Sequence, residues 1–113
     1  MPVAPLYERI DRVETVEIGK AYRGIIVQTR GLSRREGYFA ARLRLLNDGK
    51  PGEDGMIELE FLARPPSAAT PPPGPDAVAT FPLTAAQYLR AEQLDGAKGL
   101  RVVARDNALT QAF

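Results

Sequence analysis

The chain contains no cysteine, no histidine and no tryptophan. Without cysteine there is neither a disulfide framework nor a thiolate nucleophile. Without histidine as well, the soft metal ligands are missing, and so is the side chain that titrates near neutral pH. A catalyst would need carboxylates or lysines with displaced pKa values, or a bound cofactor. No such constellation is visible, so the chain is expected to be non-catalytic and to carry no cofactor and no metal. No apolar run approaches the roughly 20 residues that a membrane span needs. The first residues show no charged start leading into an apolar core, so no secretory signal is expected. These absences point to a cytoplasmic protein without a membrane partner.

What is present fits one domain over residues 1–113, with 44% hydrophobic and 26% charged residues. A chain of this size buries roughly two thirds of the surface it exposes when unfolded, so one core is feasible without staples. The net charge of +1 hides a segmentation. Residues 20–44 carry Lys20, Arg23, Arg30, Arg34, Arg35, Arg42 and Arg44 against Glu36 alone. Residues 45–62 are acidic, with Asp48, Glu53, Asp54, Glu58 and Glu60 against Lys50. Such blocks imply either a basic face or pairing between neighbouring segments.

The first 19 residues fit two patterns. Leu6, Ile10, Val13 and Val16 could line a helix, whereas "RVETVEI" reads as a strand. "AYRGIIVQTR" predicts a strand, with Gly24 marking a bulge or a close backbone approach. "GYFAARLRLL" and "MIELEFLA" both alternate, and the turn formers of "NDGKPGEDG" lie between them. An antiparallel hairpin centred on Pro51 would set Leu45 opposite Ile57, Leu43 opposite Leu59 and Ala41 opposite Phe61. On the other face Arg44 would meet Glu58, and Arg42 would meet Glu60.

Six prolines between Pro65 and Pro75 exclude helix and central strand. Residues 64–76 are therefore expected to be a long mobile loop. "VATFPLT" predicts a short edge strand because of Pro82. "TAAQYLRAEQL" predicts a helix, with Thr84 and Gln87 as its capping box and Gly96 as its stop. "GLRVVAR" predicts a strand burying Leu100, Val102 and Ala104. Residues 106–113 read as a tail that no pattern places. There is no internal repeat.

Chemical motifs are few. "EIGKAY" and "GAKG" lack the spacing of a phosphate-binding loop. "GLSRREG" is not a nucleophile elbow, and no histidine exists to activate Ser33. In "NDGKPGEDG", Gly49 and Pro51 fall where a calcium loop needs ligands.

The element order predicts a mainly β fold: a small Greek-key barrel, or a bent antiparallel sheet, with one late helix. The segments "YRGIIVQTRG", "YFAARLRLL", "MIELEFLA" and "QYLRAEQLDGAKGLRVVARDN" resemble, at the level of pattern, the single-stranded DNA-binding proteins of the oligonucleotide-binding (OB) fold. The resemblance spans residues 21–107, with "QYL…KGLRVVA" the nearest match. It implies an OB-like barrel and a partner that is single-stranded nucleic acid. That family commonly stacks bases on tryptophan and phenylalanine, and tyrosine would have to serve here.

The basic segment supplies the physical side of this expectation. Tyr22, Arg23, Arg30, Arg34, Arg35 and Tyr38 are the candidate nucleic-acid-binding residues, with arginines for phosphates and rings for bases. The expected function is that of a small accessory protein, of the kind carried by phages or mobile elements. The alternative is a protein-interaction module, or a homo-oligomer, that docks a partner through a sheet edge or the proline-rich loop.

Overall fold

The computed structural model describes residues 7–66 and 81–113. They form eight strands: β1 (Glu8–Arg9), β2 (Arg12–Ala21), β3 (Gly24–Ser33), β4 (Phe39–Leu45), β5 (Met56–Arg64), β6 (Phe81–Arg90), β7 (Gly99–Val103) and β8 (Ala108–Ala112). β5 centres the larger sheet. β4 pairs antiparallel on one side of it; on the other side β7 runs parallel and β1 continues the same edge. β8 then pairs antiparallel with β7. The smaller sheet has the order β2-β3-β6, all antiparallel.

The two sheets share one core, built around Phe61, Ile57, Leu59, Val27, Leu89 and Leu100. β4 lies beside β6 and β2 beside β8. Neither pair forms a ladder among the described residues, so the sheets are not joined into a closed barrel. The fold is mainly β, and no helix among the described residues is long and apolar enough to cross a membrane.

Where two patterns competed near the N-terminus, the strand is found. β2 turns Val13, Val16 and Ile18 toward the core, with a bulge between Val13 and Thr15. The strand expected from Ala21 onward begins later, because Tyr22 and Arg23 form the two-residue turn between β2 and β3. Gly24 does mark a close approach: a Cβ there would lie 2.1 Å from the Leu89 carbonyl oxygen.

The late helix is not formed. Residues 81–90 are β6, paired with β3 from Gly24↔Arg90 to Ser33↔Phe81. Alanine, glutamine and leucine favour helix by only fractions of a kcal/mol per residue. A full-length ladder that buries Ala85 and Leu89 outweighs that preference. Thr84 and Gln87 therefore cap nothing. The only helical turn here is the 3₁₀ turn Ala91–Leu94, where the Gln93 side chain accepts the Arg90 backbone N–H at 2.8 Å. Pro82 does lie in an edge strand of its sheet.

The predicted hairpin exists with a different register. Leu45 pairs with Leu59, Leu43 with Phe61, Arg44 with Glu60 and Arg42 with Leu62, a shift of two residues from the expected pairing. Left-handed backbone at Asn47, Asp48 and Gly49 curls the chain directly after β4, and residues 56–58 run on to pair with β7. A shift of two keeps every side chain on its face, so alternation alone cannot exclude it. Glu58 consequently pairs with Arg101 of β7, and the Arg42 guanidinium lies over the Tyr7 ring, 5.1 Å from its centroid. Ala41 falls in a bulge between Phe39 and Arg42.

The unplaced tail is largely β8. Leu100, Val102 and Ala104 are buried as expected, but β7 is not the last strand. Residues 67–80, which hold most of the proline-rich segment, lie outside the described residues.

Candidate nucleic-acid interface

β3 carries the candidate residues at its two ends and along its outward face. It rises about 3.3 Å per residue, so its ends lie about 30 Å apart. Tyr22 and Arg23 precede Gly24 at one end; Arg34, Arg35 and Tyr38 follow Ser33 at the other. The six candidates do not converge on one surface.

At the Ser33 end Arg34 and Arg105 meet acids. Asp11 is buried between β1 and β2 and accepts the Arg34 backbone N–H at 2.8 Å. Its carboxylate also lies 3.6 Å from Arg34 Nη1 and 3.4 Å from Arg105 Nη1. Arg34 reaches Asp106 as well, at 2.8 Å. The buried Ser33 hydroxyl lies 3.3 Å from Asp11 Oδ2, and its oxygen accepts the Arg35 backbone N–H at 3.1 Å. Tyr38 donates its hydroxyl to Glu8 Oε1 at 2.8 Å. Burial raises the Tyr38 pKa, and the hydrogen bond to Glu8 raises it further. This ring and these guanidinium groups tie β1, β2 and the turn after β3 to residues 105–106. Arg30, midway along the outward face, pairs with Glu14 at 3.2 Å.

The Gly24 end differs. Tyr22 at the hairpin tip is 80% exposed, with the Arg23 guanidinium 5.2 Å from its ring centroid. Tyr88 of β6 is 42% exposed and donates its hydroxyl to the Tyr22 carbonyl oxygen at 2.6 Å. The missing Cβ of Gly24 permits this crossing, since one would lie 3.0 Å from Tyr88 Oη as well as against the Leu89 carbonyl. Arg90 pairs with Gly24 in the ladder and is exposed; Lys20, also exposed, pairs with Ile25 and so lies on the opposite face of the sheet. Among the described residues no acidic side chain lies within ion-pair distance of Lys20, Arg23 or Arg90.

This end therefore gathers two tyrosines and two cations, of which only Tyr22 and Arg23 belong to the predicted set. Tyr88 and Arg90 are hidden by a helical reading of "TAAQYLR". Read as a strand, the same residues alternate, and both point outward with Ala86 and Thr84. The outward face continues from this cluster into a shallow depression of about 570 Å³ lined by Thr15, Glu17, Gln28, Arg30, Thr84 and Ala86. No protein-family model matches the chain, and neither does any curated protein or solved structure.

Proposed function

We propose that the protein is a small non-catalytic accessory protein that binds single-stranded nucleic acid on the outward face of β2-β3-β6. In this reading the two facing sheets are an OB-like small barrel opened at its two seams. The observation that carries it is the Gly24-end cluster: Tyr22, Tyr88, Arg23 and Arg90, exposed and without acidic partners among the described residues. Single-strand binding needs cations for the backbone and aromatic faces for the bases, and both are present. Arg34 and Tyr38 take no part, because their charge and hydroxyl are engaged within the fold.

The test is a fluorescence-anisotropy titration against labelled oligothymidylate at several salt concentrations. Two phosphate contacts predict a slope of log affinity on log salt of about −1.4, taking about 0.7 per contact for single strands. Changing Arg23 and Arg90 together to Gln should bring that slope close to zero. Tyr22→Ala should weaken binding by about 1–3 kcal/mol and leave the slope unchanged. Arg35→Gln should change neither. Absence of binding at low salt rejects the proposal, and a slope that responds to Arg35→Gln but not to the Arg23/Arg90 pair relocates the site.

A further inference from the structure

β2 is hydrogen-bonded on one edge only. Val13 to Ala21 pair with β3, and no described strand pairs with the opposite edge. β8, the nearest strand across the seam, is hydrogen-bonded to β7 alone. At its Val13 end the seam is closed by a side chain. Asn107 accepts the Val13 N–H on Oδ1 at 2.8 Å and donates Nδ2–H to the Val13 carbonyl at 2.8 Å. One carboxamide thus supplies the donor and the acceptor that a neighbouring strand residue would supply.

Beyond Val13 the seam opens. Val16 and Ile18 of β2, Ile25 of β3, Leu94 and Phe113 give an apolar lining to a groove of about 890 Å³ whose rim also holds Glu17, Lys20 and Gln111. Two kinds of surface run side by side here: a strand edge whose backbone polar groups have no strand partner among the described residues and an apolar trough fed by alternate residues of that same strand. A compact apolar ligand would fill the trough and leave the edge unpaired, and a helix has no free backbone groups to offer it. An extended segment satisfies both, with backbone on the edge and every second side chain in the trough. Charge narrows the occupant. Glu17 points outward between Val16 and Ile18, is exposed, has Gln28 as its ladder neighbour and forms no ion pair among the described residues. Elsewhere on this face the sheet pairs an acid with a base across strands, as Glu14 does with Arg30.

We propose that the open part of the β2–β8 seam docks an extended segment of a partner protein, added as a strand to β2, with apolar residues alternating with lysine or arginine. The apolar residues enter the trough, and a basic one stands across from Glu17. This site adjoins the oligonucleotide face along β2, where Glu17 lines both the outward depression and this groove, while Lys20 lines the groove alone; the variants below leave Lys20 in place.

The probe is a blocked, labelled nonapeptide of alternating lysine and valine, compared with alternating glutamate and valine and with lysines and valines in two blocks. The alternating basic peptide should bind most tightly and shift the backbone amide resonances of Val16 to Lys20. Glu17→Lys should reverse the preference between the basic and acidic peptides, each changing by about three- to fivefold, the size of a cross-strand charge pair. Ile18→Asp should weaken every peptide by at least about tenfold while the melting curve stays cooperative. Equal binding of the block peptide, or a preference that Glu17→Lys does not move, overturns the proposal. So does sedimentation showing a dimer that Ile18→Asp dissociates, which would make a second copy of the chain the occupant. Failure of oligothymidylate binding leaves these outcomes unaffected.

Discussion

At one end of β3, arginine is structural. Asp11 is buried, and Arg34 and Arg105 converge on it while Asp106 takes the other side of Arg34. At the other end, arginine is exposed beside tyrosine, and among the described residues no acid pairs with Arg23 or Arg90. The two ends have the same residue types in the same strand neighbourhood. They differ in what the topology brings to them. The chain returns past the Ser33 end with β1, the β1–β2 link and the β7–β8 turn, which carry Glu8, Asp11 and Asp106. Past the Gly24 end it returns with β6, which carries Tyr88 and Arg90. A cation near an acid in space is held and partly neutralised; one near a ring stays available to a ligand.

The contrast predicts that substitutions at the Ser33 end lower stability and those at the Gly24 end lower binding. The largest effect is expected from Asp11→Ala. It removes a buried acceptor of one backbone and two guanidinium groups, and should lower unfolding free energy by about 2–3 kcal/mol, discounted for the partial exposure of both arginines. Urea denaturation measures this directly. A loss below about 0.5 kcal/mol would mean that the network is not structural and that Arg34 is available after all.

A pH dependence comes next, from the larger sheet. Glu60 is buried beneath Arg9 and Arg44, with Arg9 Nε at 2.7 Å and Arg44 Nε at 3.0 Å. Burial pushes its pKa up, but hydrogen bonds from the two guanidinium groups prevail and hold it below the ordinary value of 4.5. A depressed pKa means that the folded state binds the proton less readily than the unfolded one. The stabilisation is therefore complete above about pH 4.5 and is lost as pH falls through the lower folded value. Glu60→Gln should flatten the acid limb of a stability–pH curve, and an unchanged limb would show that other carboxylates set it.

The smallest effects belong to the exposed positions. Glu14→Gln, which breaks the exposed pair with Arg30, should cost no more than about 0.5 kcal/mol. Tyr22→Ala at the hairpin tip should be similarly silent in denaturation while weakening oligonucleotide binding. A Tyr22→Ala variant that melts well below the wild type would remove the distinction between the two ends.

The faces of the strands are readable in the residues themselves. Alternation in "FAARLRLL" and "MIELEFLA" places Leu43, Leu45, Ile57, Leu59 and Phe61 inward, though Phe39, beyond the β4 bulge, is exposed, and Leu100, Val102 and Ala104 are buried as their spacing implies. The register is not readable, because a period of two is satisfied equally by pairings two residues apart. β6 is misread for a related reason. Its inward positions are Leu83, Ala85, Gln87 and Leu89, and Gln87 breaks the apolar alternation that would have announced a strand. For the site, Tyr22 and Arg23 are legible as a basic, aromatic pair before a glycine. The fate of Arg30 and Arg34 is not, since Glu14, Asp11 and Asp106 lie 16, 23 and 72 residues away in the chain.

Residue chemistry and local spacing were enough for a mainly β chain with no histidine, no thiol, a bulge or close approach at Gly24 and edge character at Pro82. Those properties depend on a residue and its near neighbours, through sterics and period. Tertiary structure alone decided that Gly24 is a close approach, that "TAAQYLR" is extended, that the last residues form β8, which arginines are neutralised and where an edge of β2 has no strand partner among the described residues. Each of these is a contest between local preference, worth fractions of a kcal/mol per residue, and contacts between segments far apart in the chain. Burial and ladder pairing win such contests, and their partners can be identified only once the chain has folded.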